Sequence, residues 1–357
     1  MPRVNHAVIL AGGVGERFWP ASTPERPKQL LPLISDRTMV RETADRLNGL
    51  VPPERWLVLT GAAIAERVAA ELPEMPRAHV IGEPEAKNTA AAIGLAAGLL
   101  AARDPDAILL VMPADHAIGD PKAFRVTVEE AFQLAAEESV LVLFGIVPDR
   151  PETNYGYVRR GDPIRTRTVE AFEVASFVEK PDAATARELW QDGRHTWNSG
   201  LFCSCARVFL EEYAEHLPLM RRTIDSAVSA WRADPRAALE GFYAAVEATS
   251  IDYGIMQQTE RAVVMPARGW DWDDVGSWEA LSRWLESDAD GNVRVGDVVL
   301  EHCRDVIAWC PSGRLSALGI ADCVIVRSGD ETLVVPRDRL DELKPFVQLL
   351  VDGRGRR

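Results

Sequence analysis

The 357-residue sequence is poor in cysteine and carries no excess of positive charge. Its five cysteines, Cys203, Cys205, Cys303, Cys310 and Cys323, include no CxxC pair. Neither a disulfide framework nor a zinc site is indicated, and free thiols fit a reducing compartment. The net charge of -14 argues against a nucleic-acid binder, which needs a basic face. It leaves a phosphate ligand open, because a few local cations and backbone N–H groups suffice to hold one. Long apolar runs are also missing. The run Ala7–Ala11 is too short for a signal peptide. The longest weakly polar stretch, Thr89–Ala102, falls short of the ~20 residues that span a bilayer and reads as a buried helix. These absences predict a cytoplasmic protein with neither nucleic acid nor membrane as partner. No long internal repeat is present.

What is there is ordinary globular composition, 47% hydrophobic and 26% charged, enough for a sizeable core. The first half alternates short apolar runs with helical patterns. His6–Ala11, Trp56–Thr60, Ala78–Ile81, Ala107–Met112 and Val140–Ile146 read as strands. Helices are expected over Thr38–Leu50, Ala62–Leu72, Thr89–Ala102 and Pro121–Glu138. Strands that are apolar throughout, alternating with helices, predict an α/β fold with a mostly parallel, Rossmann-like sheet covered on both faces. Ligands of such sheets bind at the carboxyl ends of the strands. From Pro148 to Pro266 the β segments lengthen (Tyr155–Arg160, Val169–Glu179, Asn198–Cys205), as expected of an insertion that supplies a second pocket. The polar stretch Glu286–Asn292 reads as a linker. Beyond it, Val293–Val335 predicts a small all-β domain, closed by a helix near Leu340–Val351 and a frayed GRGRR tail. The expected domains are residues 1–286 and 287–357.

The most informative segment is LAGGVGERFWPASTPERPKQLLPL, Leu10–Leu33. Gly12, Gly13 and Gly15 follow a buried strand, where glycine lets the backbone approach a phosphate closely. Arg17 and Lys28 add the cationic charge a triphosphate needs. The spacing is neither GxGxxG nor GxxxxGK[ST]. Pro20, Pro24, Pro27 and Pro32 forbid a helix for about twenty residues, unlike the short turn of a dinucleotide site.

This segment resembles the signature of the sugar-1-phosphate nucleotidyltransferases, LAGGxGxRxxP…PK. Its FWP and PKQ details resemble the mannose-1-phosphate guanylyltransferases. The resemblance continues in order through EPEAKNTAAAI (Glu83–Ile93), MPADHAI (Met112–Ile118), GIVPDRPETNYGYV (Gly145–Val158), FVEKP (Phe177–Pro181), WNSGLF (Trp197–Phe202), SIDYGIM (Ser250–Met256) and WDDVGSW (Trp272–Trp278). It implies a nucleotidyltransferase-type fold whose small β domain is a short left-handed β-helix, one that packs on the first domain or builds a homodimer. It also implies transfer of GMP from GTP to mannose 1-phosphate with Mg²⁺.

By the same resemblance, Leu10, Ala11, Gly12, Gly13, Gly15, Glu83, Asn88, Thr89 and Ala114 contact the nucleotide. Arg17 and Lys28 hold the triphosphate, and Asp115 and Asp274 bind Mg²⁺, a hard cation suited to carboxylates. Gly156, Glu179, Lys180 and Asn198 line the sugar-phosphate pocket. Asp273 is the nearest rival to Asp274, and His116 reads as structural. Asn88 or Thr89 also reads as the cap of the following helix. Trp197, Trp270, Trp272 and Trp278 read as core or pocket wall. Two positions depart from the family pattern. Asn154 stands where a glycine is usual, and Asn tolerates the left-handed backbone such a turn needs. Thr23 stands where Arg is frequent, with Arg26 close by. The alternatives are another nucleotide and sugar, such as dTTP with glucose 1-phosphate, or a catalytically silent homologue that binds nucleotide-sugar. A dehydrogenase is disfavoured because GxGxxG is missing. After residue 286 there is no His-rich metal motif, which predicts no phosphomannose isomerase activity.

Overall fold

The computed structural model describes residues 3–13, 15–164 and 169–354. Its strands are β1 Asn5–Ala11, β2 Trp56–Gly61, β3 Val80–Glu83, β4 Ile108–Pro113, β5 Ala117–Ile118, β6 Leu141–Ile146, β7 Gly156–Pro163, β8 Phe172–Glu179, β9 His195–Cys205, β10 Ala262–Pro266, β11 Trp272–Asp273, β12 Val293–Glu301, β13 Arg304–Leu318, β14 Ala321–Ser328 and β15 Glu331–Pro336. Nine of them form one sheet in the order β3-β2-β1-β4-β9-β6-β10-β8-β7. The apolar runs β1 to β4 pair in parallel, as do β6 and β10. Strands β4 and β6 are fully or almost fully buried along their length, which is why they read as continuous apolar runs.

The sheet is mixed rather than simply parallel. Strand β9 runs antiparallel to both β4 and β6, and β8 runs antiparallel to β10 and β7. The reversal arises because β9 enters the sheet from the inserted region and wedges between two strands of the first half. The helix Asn88–Ala101 is buried along most of its length, so its Ala- and Gly-rich stretch serves internal packing. No helix among the described residues is long and apolar enough to cross a membrane.

The expected helix at Thr38–Leu50 is confined to Met39–Asp45, and the one at Ala62–Leu72 to Ala65–Glu71 behind a 3-10 turn. In the proline-rich segment only two 3-10 turns form, Glu16–Phe18 and Lys28–Leu30. The C-terminal helix is Leu343–Arg354, so the expected fraying does not reach Gly353 or Arg354, and the last three residues lie outside the described ones.

Contacts divide the chain into two compact units. One comprises Met1–Gly12, Thr43–Ala114 and Ile118–Trp272 and holds the nine-stranded sheet. The other gathers Gly13–Glu42, Asp115–Ala117 and Asp273–Arg357. The second unit has a four-stranded sheet, β12-β13-β14-β15. Its first three strands are parallel and stack Val293 against Ile307 and Ile307 against Val324; β15 is antiparallel. Those residues, with Trp309, share one core with Phe18, Leu31 and Leu33 of the glycine-rich segment. The glycine-rich segment is thus built on the core of the four-stranded sheet.

Candidate active site

In the second unit, Gly15, Glu16, Arg17, Phe18, Lys28, Asp115, Asp274, Gly276 and Lys344 line a cavity of about 480 Å³. The four residues expected to carry the chemistry, Arg17, Lys28, Asp115 and Asp274, therefore lie on one surface. Lys28 sits at its floor, 6% exposed. Burying an ammonium is expensive unless it is paired. Here Nζ donates to Asp115 Oδ2 at 2.8 Å and to the Asp274 carbonyl at 2.5 Å. An ammonium has three N–H donors, and among the described residues two acceptors meet them. Burial works against ionisation of Asp115, but Lys28 and His116 outweigh it and hold the carboxyl below the usual carboxylate range. Gly15 adopts φ +72°, and a Cβ there would come within 2.5 Å of the Lys28 Cβ. The glycine is required both by its backbone and by the lysine beneath it. Gly13 shares the left-handed backbone, at φ +94°, and Val14 lies outside the described residues.

Asp273 and Asp274 separate cleanly. The Asp273 carboxylate is buried, accepts from Arg283 Nε at 2.7 Å and Nη2 at 2.6 Å, and accepts from the Val275 N–H at 2.7 Å. Val275 is β-branched yet sits at φ +48°, a strained state that costs on the order of 1–3 kcal/mol. The Asp273 hydrogen bond holds that turn. The turn leaves the Asp274 carbonyl on Lys28 and the residue on the cavity wall.

Asp115 and Asp274 offer hard oxygen donors to one cavity. Among the described residues no group of three or more His, Cys, Asp or Glu is placed to hold a metal ion. The set does not make a protein cage. It fits a cation such as Mg²⁺, which takes one or two carboxylates and keeps the rest of its shell for phosphate and water.

The first unit holds two further groups. Glu179 ends β8 and forms an ion pair with the next residue, Lys180, with the Glu179 side chain 6% exposed and that of Lys180 54%. Lys180 takes φ +48° and donates its N–H to the Tyr155 carbonyl at 3.2 Å. A Cβ on Gly156 would lie 2.5 Å from Glu179 Oε2, so the glycine makes room for that carboxylate. Asn198 donates from Nδ2 to Asp252 Oδ1 at 2.8 Å. Asp252 is a member of this cluster that residue-by-residue reading passed over, although SIDYGIM contains it. Burial pushes its carboxyl up to about 6, Glu179 adds to the rise, and Lys180 and Asn198 offset part of it. Burial likewise opposes the charge on Lys180, but Glu179 and Asp252 hold its ammonium above the ordinary range. Trp197 packs edge-on to Tyr155, and the Arg150 guanidinium lies 5.0 Å from its ring centroid. Its indole N–H is buried and makes no hydrogen bond among the described residues.

The second group follows β1 and β3. The Ala114 N–H donates to the Leu10 carbonyl at 2.9 Å, and Thr60 Oγ1 donates to the Ala11 carbonyl at 2.8 Å. Glu83 accepts from the Tyr243 hydroxyl at 2.6 Å, and burial raises its carboxyl above the usual range despite that bond. The position of Gly12 faces Glu83, with 3.8 Å between a built Cβ and Oε2.

Two expectations need correction. Neither Asn88 nor Thr89 caps the helix that begins there; the capping position is Lys87, whose side chain makes no capping hydrogen bond. Thr89 Oγ1 accepts from the Ile251 N–H at 3.0 Å instead, joining two of the sequence blocks, and Asn88 sits at φ +63° with its Oδ1 on the Thr89 N–H at 2.8 Å. Asn154 is not in the left-handed region. Its turn is tied by Glu152, whose Oε1 accepts from the Asn154 backbone at 3.1 Å and its amide at 2.9 Å. Thr23 and Arg26 exchange backbone hydrogen bonds at 3.0 and 3.1 Å, with Thr23 Oγ1 also accepting from the Arg26 N–H at 3.1 Å. All five cysteines are free and buried, as small core residues.

Comparison with known proteins identifies the family of the chain. The family model described as nucleotidyl transferase matches residues 6–291. Mannose-1-phosphate guanylyltransferase of Escherichia coli is 40% identical over 98% of this chain and 74% of its own length. The xanthan biosynthesis protein XanB of Xanthomonas campestris is 37% identical over 98% of this chain and 74% of its own length. A solved structure described as mannose-1-phosphate geranyltransferase from Thermus thermophilus superposes with a TM-score of 0.85 at 36% identity, covering 97% of this chain and 99% of that one. With the signature segment, the parallel half-sheet and the cavity in place, these matches establish that the chain belongs to the nucleotidyl transferase family.

Proposed function

We propose that this protein transfers GMP from GTP to α-D-mannose 1-phosphate, forming GDP-mannose and pyrophosphate. The observation that carries the proposal is the single cavity that collects Arg17, Lys28, Asp115 and Asp274, in a chain 40% identical to a protein named for this reaction.

The sugar-phosphate oxygen attacks the α-phosphorus of GTP in line, and pyrophosphate leaves. Such a transfer needs positioning and charge neutralisation more than covalent chemistry. Arg17 and Lys28 hold the triphosphate and the charge that develops on pyrophosphate. The backbone at Gly12, Gly13 and Gly15 lets the phosphates come close. Asp115 and Asp274 would hold Mg²⁺, which when bound would neutralise phosphate charge and polarise the α-phosphorus. The ionised state of Asp115, kept by Lys28, suits that task. Leu10, Ala11, Glu83, Asn88, Thr89 and Ala114 contact the nucleoside. Lys180 steers the incoming sugar phosphate, Glu179 accepts from sugar hydroxyls, and Gly156 and Asn198 shape the pocket. Asp252, bonded to Asn198, belongs with them. No general base is required, because a phosphate monoester is already an anion at neutral pH.

The parallel stacking of β12, β13 and β14 supports a short left-handed β-helix. Exposed Val299, Leu318 and Val334 on its strands support a homodimer built through it. Five buried free thiols support a cytoplasmic location. The test of the activity is pyrophosphate release over a grid of nucleoside triphosphates and sugar 1-phosphates with Mg²⁺. Highest kcat/KM for GTP with mannose 1-phosphate is expected. Turnover with dTTP or UTP well above GTP overturns the guanylyl assignment.

A further inference from the structure

The cavity has a cation that the signature does not supply. Lys344 lines it together with Arg17, Lys28, Asp115 and Asp274, and it comes from the C-terminal helix Leu343–Arg354, outside the stretch matched by the family. That helix is anchored against the signature segment. Leu343 and Val347 are buried in the same core as Phe18, and Phe346 meets Trp19 edge-on. Lys344 and Gln348, four residues apart, share a helix face, and both reach Glu16. Lys344 Nζ lies 3.1 Å from Glu16 Oε2, and Gln348 Nε2 donates to Glu16 Oε1 at 3.0 Å.

We propose that Lys344 is a further phosphate-binding cation, parked on Glu16 in the free protein and moving to the pyrophosphate portion of a bound triphosphate. Three features support the movement. The Lys344 side chain is 60% exposed and Glu16 32%, so their pairing is a weak, solvent-screened one that a more highly charged phosphate outcompetes. Gln348 stays bonded to Glu16, so the carboxylate keeps a partner when the ammonium leaves. The charges of the lining cancel: Arg17, Lys28 and Lys344 face Glu16, Asp115 and Asp274. A triphosphate adds negative charge beyond what Lys28 offers, since Lys28 is already engaged by two partners. Lys344 is, beside Arg17, a long, exposed cation on the wall. The proposal rests on the reading of this cavity as the triphosphate site.

The experiment compares wild type, Lys344→Ala and Lys344→Arg in two assays. The first titrates the full-length protein with inorganic pyrophosphate and Mg²⁺ by calorimetry. The second measures KM for GTP and for mannose 1-phosphate separately, with the thermal midpoint as a control for structure. Lys344→Ala is expected to weaken pyrophosphate binding and raise KM for GTP about tenfold, the size of a lost charged hydrogen bond. KM for mannose 1-phosphate and the thermal midpoint stay near wild type, and Lys344→Arg recovers most of the loss. Unchanged pyrophosphate affinity in Lys344→Ala overturns the proposal. So does a uniform fall in thermal midpoint and in both substrates' kinetics, which marks a purely structural latch. If wild type binds pyrophosphate through Lys344 but does not turn over GTP with mannose 1-phosphate, this inference stands and the guanylyl reading falls. If wild type binds no pyrophosphate, this inference falls.

Discussion

Two lysines show how differently one molecule can surround the same charge. Lys28 is sealed into its cavity floor and bridges a carboxylate to a backbone carbonyl. Lys180 is half-exposed, in a left-handed backbone, with Glu179 beside it and Asp252 near. Around Lys28 the fixed positive charge keeps Asp115 ionised. Around Lys180 two acidic groups crowd together, and one of them, Asp252, moves into the range where it titrates under mild acid. The first arrangement has its charges locked. The second has charges that adjust. On the proposed function, the first suits a triphosphate with its cation and the second a neutral sugar ring carrying a single phosphate.

The contrast can be broken most sharply at the carboxylates beside Lys28. Asp115→Ala and Asp274→Ala are each expected to lower Mg²⁺-dependent turnover by about a hundredfold or more while the circular dichroism spectrum stays native. Full activity in either variant removes that residue from the metal assignment. Next come the two glycines that make room for each cluster. Gly15→Ala pushes on Lys28 and Gly156→Ala on Glu179, each with a 2.5 Å contact. Displacements of this kind cost about tenfold or more in rate. Gly15→Ala is expected to act on KM for GTP, and Gly156→Ala on KM for mannose 1-phosphate. Steady-state kinetics showing the reverse pattern would exchange the roles of the two clusters.

Asp273→Asn is a smaller change with a different readout. It leaves Arg283 and Val275 short of a buried charged partner, so we expect a loss of about 2–4 kcal/mol in unfolding free energy. Turnover per folded molecule should fall far less than in Asp274→Ala. Denaturant melts alongside active-site-normalised rates separate the two. The smallest effect is on pH dependence. The folded carboxyl of Asp252 is raised from 3.8 to about 6, so the folded state holds its proton more tightly than the unfolded chain does. The resulting stabilisation is present in full below about pH 4 and is lost as pH rises to about pH 6, amounting to roughly 3 kcal/mol at most. Asp252→Asn should flatten that part of the stability profile. An unaltered slope would show that Asp252 does not titrate there.

Much of this was readable from residue order alone. Buried parallel strands announce themselves as unbroken apolar runs, and β1, β2, β4 and β6 lie where those runs were read, with β3 shifted by two residues. The prolines between Leu10 and Pro32 excluded a helix, and only single 3-10 turns formed. What sequence could not convey was pairing over distance. The antiparallel entry of β9 between β4 and β6 depends on partners far apart in the chain. Thr89 looked like a cap because capping is local, yet its hydroxyl is taken by Ile251. Asn154 looked like a glycine substitute, yet Glu152 holds its turn by a side-chain bond. Asp252 stood inside a quoted motif with nothing local to mark its burial against Asn198 and Glu179.

The core shared by Phe18, Leu31 and Leu33 with Trp278, Val293, Trp309 and Val324 also dictates an order of assembly. The signature segment is made well before most of its apolar partners, which lie from Val275 onward. Most of the nine-stranded sheet can begin to form from residues already released, whereas the glycine-rich loop must wait, uncovered, for the stretch from Val275 to Val347. Loop closure over so long a separation is slow. A nascent chain that has not yet reached Trp278 would therefore expose a proline-stiffened apolar segment, and the glycine-rich loop gains its core only after that later stretch has been made.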